Sequence, residues 1–241
     1  YIRWTKHPVV NIPPKVNITK GAAGECPLHC GTCENHMQTA CCVLIDVTDR
    51  CNQHCPYCFA EAEDTGGDMP LSEIERKYDL LLELGEEREF NIQLSGGEPT
   101  VRDDLPEIIR MGRDKGFEYI QINTNGRRIA EEKGYAKKLK DAGVSVIYLQ
   151  FDGTTDEIYM QMRNEPLLHT KLSAIENCRR AGLPVTLVPT VVKNINLDNI
   201  GEMMRFLIAN RDVVKGIHFQ PVSFFGRVPD KDYENRVTMF D

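Results

Sequence analysis

Between residues 42 and 222, apolar runs of strand length alternate six times with helical patterns. The strand-like runs are 42–47, 90–94, 118–122, 144–151, 185–191 and 216–222. Short apolar runs bounded by turn signals read as strands buried on both faces. Strands that alternate with helices imply a parallel sheet covered by helices. Eight such units in about 250 residues would close a full barrel. Six units in about 185 residues predict an open one, an α/β partial (βα)6 TIM-like barrel. The first helix is expected to open at Pro70 and Ser72, with Ser72 and Glu75 at capping-box spacing and Leu71, Ile74, Tyr78, Leu81 and Leu82 inward. Asp103 and Asp104 are placed to cap the second, whose face is Leu105, Ile108, Ile109 and Gly112, and a charged helix follows over roughly 130–141. Helical pattern then covers about 155–161, 167–181 (Leu168, Leu172, Ile175 and Cys178 inward) and 197–208 (Leu197, Ile200, Met204 and Leu207 inward).

Active sites of parallel α/β barrels lie at the C-terminal ends of the strands, and every suspicious motif falls at such an end. Cys51, Cys55 and Cys58 follow the first strand at CxxxCxxC spacing. Ser95-Gly96-Gly97-Glu98-Pro99 follows the second, and Asn123-Thr124-Asn125-Gly126 the third. Gln150-Phe151-Asp152-Gly153, Pro189-Thr190 and Gln220-Pro221 follow the remaining three. Thiolates hold iron–sulfur clusters. Three of them suit a 4Fe–4S cluster whose fourth iron stays open to a small molecule.

The triplet and the Gly-Gly-Glu-Pro motif together resemble the radical S-adenosylmethionine (SAM) superfamily, in which Tyr57 fits the aromatic residue before the third cysteine. The resemblance implies that the open iron binds SAM, and that an electron from the cluster cleaves SAM to a 5′-deoxyadenosyl radical, which abstracts hydrogen. It places Gly96 and Gly97 against the SAM amino group with Glu98 supporting the loop, Gln150 at the ribose and Gln220 near the adenine. Arg163 stands where related enzymes carry an arginine for the SAM carboxylate, with a surface arginine as the alternative; Asp152 organises a turn or touches SAM. A reducing electron donor of flavodoxin or ferredoxin type is implied as a partner.

The chain has nine cysteines, eight of them between Cys26 and Cys58. Disulfides that staple a fold would be spread along it; clustered thiols fit metal or cluster binding in a reducing cytoplasm. Cys26, Cys30 and Cys33 repeat the CxxxCxxC spacing, and with Cys41 or Cys42 they could ligate an auxiliary 4Fe–4S cluster. A tetrahedral zinc or iron site and unligated thiols are the alternatives. His29, His36 and His54 read as structural, and Cys178 as a core thiol. From Cys26-Pro27 through residues 93–106, 121–126, 148–153, 188–192 and 219–223, the chain resembles the archaeal tetraether lipid synthases and their bacterial relatives, some labelled pterin methylases. That implies hydrogen abstraction at unactivated carbon, followed by C–C bond formation between lipid chains or by methyl transfer to a pterin-like heterocycle. A lipid-sized substrate would call for an apolar channel lined by Phe151, Val188, Phe224 and Phe225. A peptide maturase, with its extra cysteines usually C-terminal, is disfavoured. A non-catalytic electron-transfer module gives the strand-end motifs no role.

Three regions are expected: an arm and cysteine-rich segment (1–40), a barrel core (41–228) and the start of a further region (229–241). A first residue of Tyr1 rather than Met suggests a segment of a longer protein. The net charge of −7 has no basic footprint for nucleic acid. No apolar stretch approaches the roughly 20 residues that span a bilayer, so a cytoplasmic enzyme with a small-molecule or lipid substrate is expected, with at most peripheral membrane contact.

Overall fold

A computed structural model describes residues 42–85, 90–229 and 237–238. The segment with Cys26, His29, Cys30, Cys33, His36 and Cys41 lies outside the described residues, and with it most of the auxiliary cluster set. Six parallel strands form one sheet in the order β1 (Cys42–Thr48), β2 (Asn91–Gly96), β3 (Ile120–Thr124), β4 (Val146–Gln150), β5 (Val185–Val188) and β7 (Val214–Ile217). Two further pieces, β6 (Thr190–Val191) and β8 (Gln220–Pro221), pair with each other. The helices are α1 (Leu71–Gly85), α2 (Leu105–Asp114), α3 (Arg127–Glu131), α4 (Tyr135–Ala142), α5 (Asp156–Arg163), α6 (Leu168–Ala181) and α7 (Ile200–Ala209). Among the described residues no helix is long and apolar enough to cross a membrane.

Strand alternation sends successive side chains to opposite faces, and here the two faces differ in chemistry. Ile45, Val47, Ile92, Leu94, Ile120, Ile122, Ile147, Leu149, Val185 and Leu187 face the helices in one continuous core. The other face carries Gln93, Gln121, Asn123, Tyr148, Gln150 and Thr186. Register puts Gln93 beside Gln121; their amides are bonded, and Gln121 Nε2 also reaches Cys42 Sγ at 3.9 Å.

Several local expectations shift. Ser72 lies inside α1, so the capping box does not form, and the Pro70 carbonyl accepts from Glu73 and Ile74 instead. Leu82 is exposed. Asp104 takes the N-cap position of α2, but its carboxylate turns to Arg102. The charged helix is two, because Gly134 adopts φ +84° between α3 and α4. Pro189 ends β5, since proline has no N–H for the ladder; residues 190–191 then leave the main sheet to meet 220–221. Met203 rather than Met204 is buried on α7, and Lys171 rather than Leu172 on α6.

Candidate active site

The loop between β1 and α1 is folded back on itself. Asp49 N–H donates to Gly67 O (2.8 Å) and Cys51 N–H to Glu63 O (2.9 Å). Asp68 accepts from Thr48 Oγ1 and, through both oxygens, from Arg50. Arg102, 3% exposed, clamps the two ends of the loop: its Nη1 reaches Val47 O and Met69 O, while Nε and Nη2 hold Asp104. Arg102→Met should therefore lower stability by about 2–4 kcal/mol, the range for breaking a buried, charge-assisted network. It should also speed proteolysis within residues 49–68. Limited digestion beside urea denaturation checks both, and an unchanged cleavage rate would dismiss the clamp.

The second motif closes over this loop. Gly97 N–H donates to Thr48 O and Glu98 N–H to Arg50 O, both at 2.8 Å. A Cβ on Gly97 would lie 2.3 Å from Arg50 O, and one on Gly96, whose φ is +126°, 2.1 Å from Thr48 O. These glycines are thus required by the backbone of the cysteine loop itself. Glu98 is 1% exposed and accepts four hydrogen bonds: from Thr100 N, Thr100 Oγ1, Thr124 Oγ1 and Asn125 N, at 2.6–3.0 Å. One carboxylate thereby joins the ends of β2 and β3. From the far end of the barrel, Arg227 pairs backbone to backbone with Cys58 and donates Nη1 to Cys55 O (2.9 Å).

One cavity results, and Cys51, Cys55, Tyr57, Cys58, Gly96, Gly97, Glu98, Gln150, Arg163 and Gln220 all line it. The fold thus brings together the residues that the resemblance assigned to the SAM-binding cluster and to SAM, apart from Asp152, which was offered as a turn residue or a SAM contact. Arg163 is neither a surface residue nor uncommitted. It is 4% exposed and donates through Nε and Nη2 to the two carboxylate oxygens of Asp152, itself fully buried, at 2.7 and 2.8 Å. Its Nη1 also reaches Tyr57 O. Asp152 further accepts from Thr190 N, and does not line the cavity. Burial works against the Arg163 charge, but Asp152 and Cys55 outweigh it and hold the guanidinium charged. Burial pushes the Cys51 thiol up to about 12 and raises Cys55 too, the latter opposed by Arg163. Burial thus favours the protonated thiol at Cys51 and Cys55, and binding as thiolates would release those protons.

A 4Fe–4S cluster with SAM fits these residues. Three thiols share one wall, and the buried Gln53 Nε2 and Asn123 Oδ1, both from lining residues, have no protein partner. Among the described residues no three histidine, cysteine or carboxylate side chains converge on a point that would suit a single ion. A cluster instead takes one thiolate at each of several irons. Cys42 points to the polar face of the sheet, away from this triplet in sequence and bonded to Gln93 and Gln121. Cys178 is a core thiol on α6. Sequence reasoning missed Arg102, Lys171 and Arg227; the charged run after Gly-Gly-Glu-Pro was the signal for the first, while the others carry no local signal.

Residues 45–207 match the family model of the radical SAM superfamily. A 7,8-dihydro-6-hydroxymethylpterin dimethyltransferase of Methanocaldococcus jannaschii is 46% identical over 224 residues, covering 90% of this chain and 43% of that protein. A probable GTP 3′,8-cyclase of Methanothermobacter thermautotrophicus is 29% identical over 175 residues, 72% of this chain and 55% of that one. The chain thus spans about half the length of these curated relatives. The crystal structure of Streptococcus suis SuiB bound to precursor peptide SuiA superposes with a TM-score of 0.66 at 17% identity, over 80% of this chain and 42% of that one. That likeness is one of fold. With its cysteine triplet, its Gly-Gly-Glu-Pro turn and its open parallel sheet, the chain belongs to the radical SAM superfamily.

Proposed function

We propose that this chain is the radical-generating core of a methyltransferase acting on a reduced pterin or a similar nitrogen heterocycle. The polar inner face of the sheet carries the reading. Asn123, Tyr148 and Gln150 of that face line the cavity, where Ser95, Thr124 and Asn125 add further polar groups, and the Tyr148 ring lies 6.3 Å from that of His218. Such groups match the ring N–H, ring nitrogen and carbonyl of a pterin. An alkyl chain laid on them would strip water from amides without replacing its hydrogen bonds, a cost of about 1–3 kcal/mol each. Of the four residues that would have lined an apolar channel, Val188 alone lines the cavity. Phe151 faces the helical layer and stacks on Phe206 at 4.9 Å. The 46% identity to a protein named as a pterin dimethyltransferase supports the same substrate class. The relatives reported above are named for pterin methylation and GTP cyclisation, not for coupling of lipid chains.

A cluster and SAM held by these residues would supply one-electron chemistry capable of taking hydrogen from carbon. The electron comes from a small donor protein of flavodoxin or ferredoxin type. The chain's part is to hold and to position. Cys51, Cys55 and Cys58 supply the thiolates; the backbone of Gly97 and Glu98 keeps their loop closed. Gln150, Gln220 and Arg163 stand on the wall that SAM would meet. Asn123, Tyr148 and the other polar groups of the cavity wall would orient the acceptor.

The test is mass spectrometry of the anaerobically loaded, reduced protein given SAM and 6-hydroxymethyl-7,8-dihydropterin. The expected products are 5′-deoxyadenosine and a pterin heavier by one or two methyl groups. Isotopically labelled SAM shows whether its methyl is the one transferred. 5′-Deoxyadenosine beside an unmethylated pterin would overturn methyl transfer while leaving radical initiation intact.

A further inference from the structure

α6 buries a lysine where its apolar pattern offers a leucine. Lys171 is fully buried, while Leu172 is 41% exposed. Desolvation of an ammonium is costly, and burial lowers this one to about 8, against Asp152 and Glu98, which raise it. Asp152 and Arg163, Glu98 and Cys55 are the charged or titratable groups around it, beside the Tyr159 ring 5.8 Å from Nζ. Yet Lys171 forms no ion pair among the described contacts. Its Nζ donates to Asn125 O at 2.6 Å and to Gln150 Oε1 at 3.1 Å.

Those two bonds have a directional consequence. An ammonium donates and cannot accept, so Gln150 must turn its oxygen to Lys171. The orientation of a glutamine amide is otherwise open to a flip. Here the NH₂ is left for the cavity that Gln150 lines. The Asn125 backbone extends the arrangement, because its N–H donates to Glu98 Oε2 at 2.6 Å while its carbonyl, in the next peptide group, accepts from Lys171. The ends of β2, β3 and β4 are thus tied through one buried cation.

We infer that Lys171 is a positioning residue for the cavity: it fixes the Gln150 carboxamide so that a hydrogen-bond donor, and never an acceptor, meets the bound SAM. The matching part of the ligand is an acceptor: a hydroxyl, ether or carboxylate oxygen, or a ring nitrogen. A lysine serving only to fill the core would be replaceable by methionine, which has a similar stem, with no effect on ligand affinity.

The experiment measures SAM dissociation constants by equilibrium dialysis on cluster-loaded protein, with urea denaturation midpoints in parallel. The proteins are wild type, Lys171→Met, Gln150→Leu, Gln150→Glu and the Lys171→Met/Gln150→Leu double variant. Each single substitution should weaken binding roughly tenfold, the size of one lost or mispaired buried hydrogen bond. The double variant should bind no more weakly than Gln150→Leu alone, as residues acting through one contact are non-additive. Gln150→Glu keeps the bond from Lys171 but has no NH₂ to present, so it should lose as much as Gln150→Leu. Wild-type affinity in Lys171→Met, additivity in the double variant, or wild-type affinity in Gln150→Glu would each overturn the inference. If Lys171→Met fails to fold, the two Gln150 variants still decide it. The inference rests on SAM occupying this cavity, which wild-type binding tests separately from any reaction on a pterin.

Discussion

Cys55→Ala should fold and yet produce no 5′-deoxyadenosine. Cys55 is 7% exposed, lies on the cavity wall between Cys51 and Cys58, and has its carbonyl held by Arg227. None of the loop's backbone hydrogen bonds needs its sulfur, so the loop should stay closed. The stability cost should be about 1 kcal/mol, ordinary for a small buried truncation. Substituting groups that merely support metal ligands already costs 10–100-fold in affinity or activity; removing a ligand outright should exceed about 100-fold. Iron content, visible absorbance and 5′-deoxyadenosine yield are the readouts. Cys178→Ala is the control: that thiol is also buried but packs in the hydrophobic core from α6, so its loss should leave iron content unchanged. Full iron and full cleavage in Cys55→Ala would remove the cluster assignment.

Glu98→Ala should be the most destabilising single change in the site. The carboxylate is the shared acceptor for two backbone N–H groups and two threonine hydroxyls, all in the buried region where β2 and β3 end. Alanine would strand these donors away from water, at about 1–3 kcal/mol for each one left unpaired. The hydroxyls can rotate to other partners; the N–H groups of Thr100 and Asn125 cannot. A loss of about 3–5 kcal/mol in urea denaturation is expected, with SAM binding lost as the Asn125 peptide shifts. Glu98→Gln should recover only part of the loss, because its NH₂ confronts groups that are themselves donors. If Glu98→Ala costs less than about 1 kcal/mol, the carboxylate is not the joint between the strands.

The strand-end motifs were legible because a parallel sheet forces them together: whatever follows each strand must face the same rim. That is why Cys51, Gly97, Gln150 and Gln220, spread along the chain, could be assigned to one site. Residues whose side chains point by helical phase were less legible. The apolar pattern of α6 favours Leu172 over Lys171, and nothing local says that a lysine will find Asn125 O and Gln150 Oε1 beneath it. Phe151 sits beside the site in sequence, but strand alternation sends it to the helices while Gln150 takes the cavity. In the sequence Arg163 suits either a SAM contact or a surface charge, because its partner Asp152 is eleven residues away across a strand-to-helix turn. Strand limits were misjudged where apolar runs continue through a proline, as at Pro189.

The bonds from Arg227 to Cys55 and Cys58 also set an order of events. Arg227 lies 172 residues beyond Cys55. At ribosomal rates of ~5–20 residues per second, that interval is on the order of 10–30 s. The three cysteines leave the ribosome before Arg227 does, so the ties from Arg227 to Cys55 and Cys58 can form only after that interval. Until then their loop lacks its hold from the other end of the sheet. Long-range closure of this kind is slow, and it makes this side of the cysteine enclosure a late product of folding.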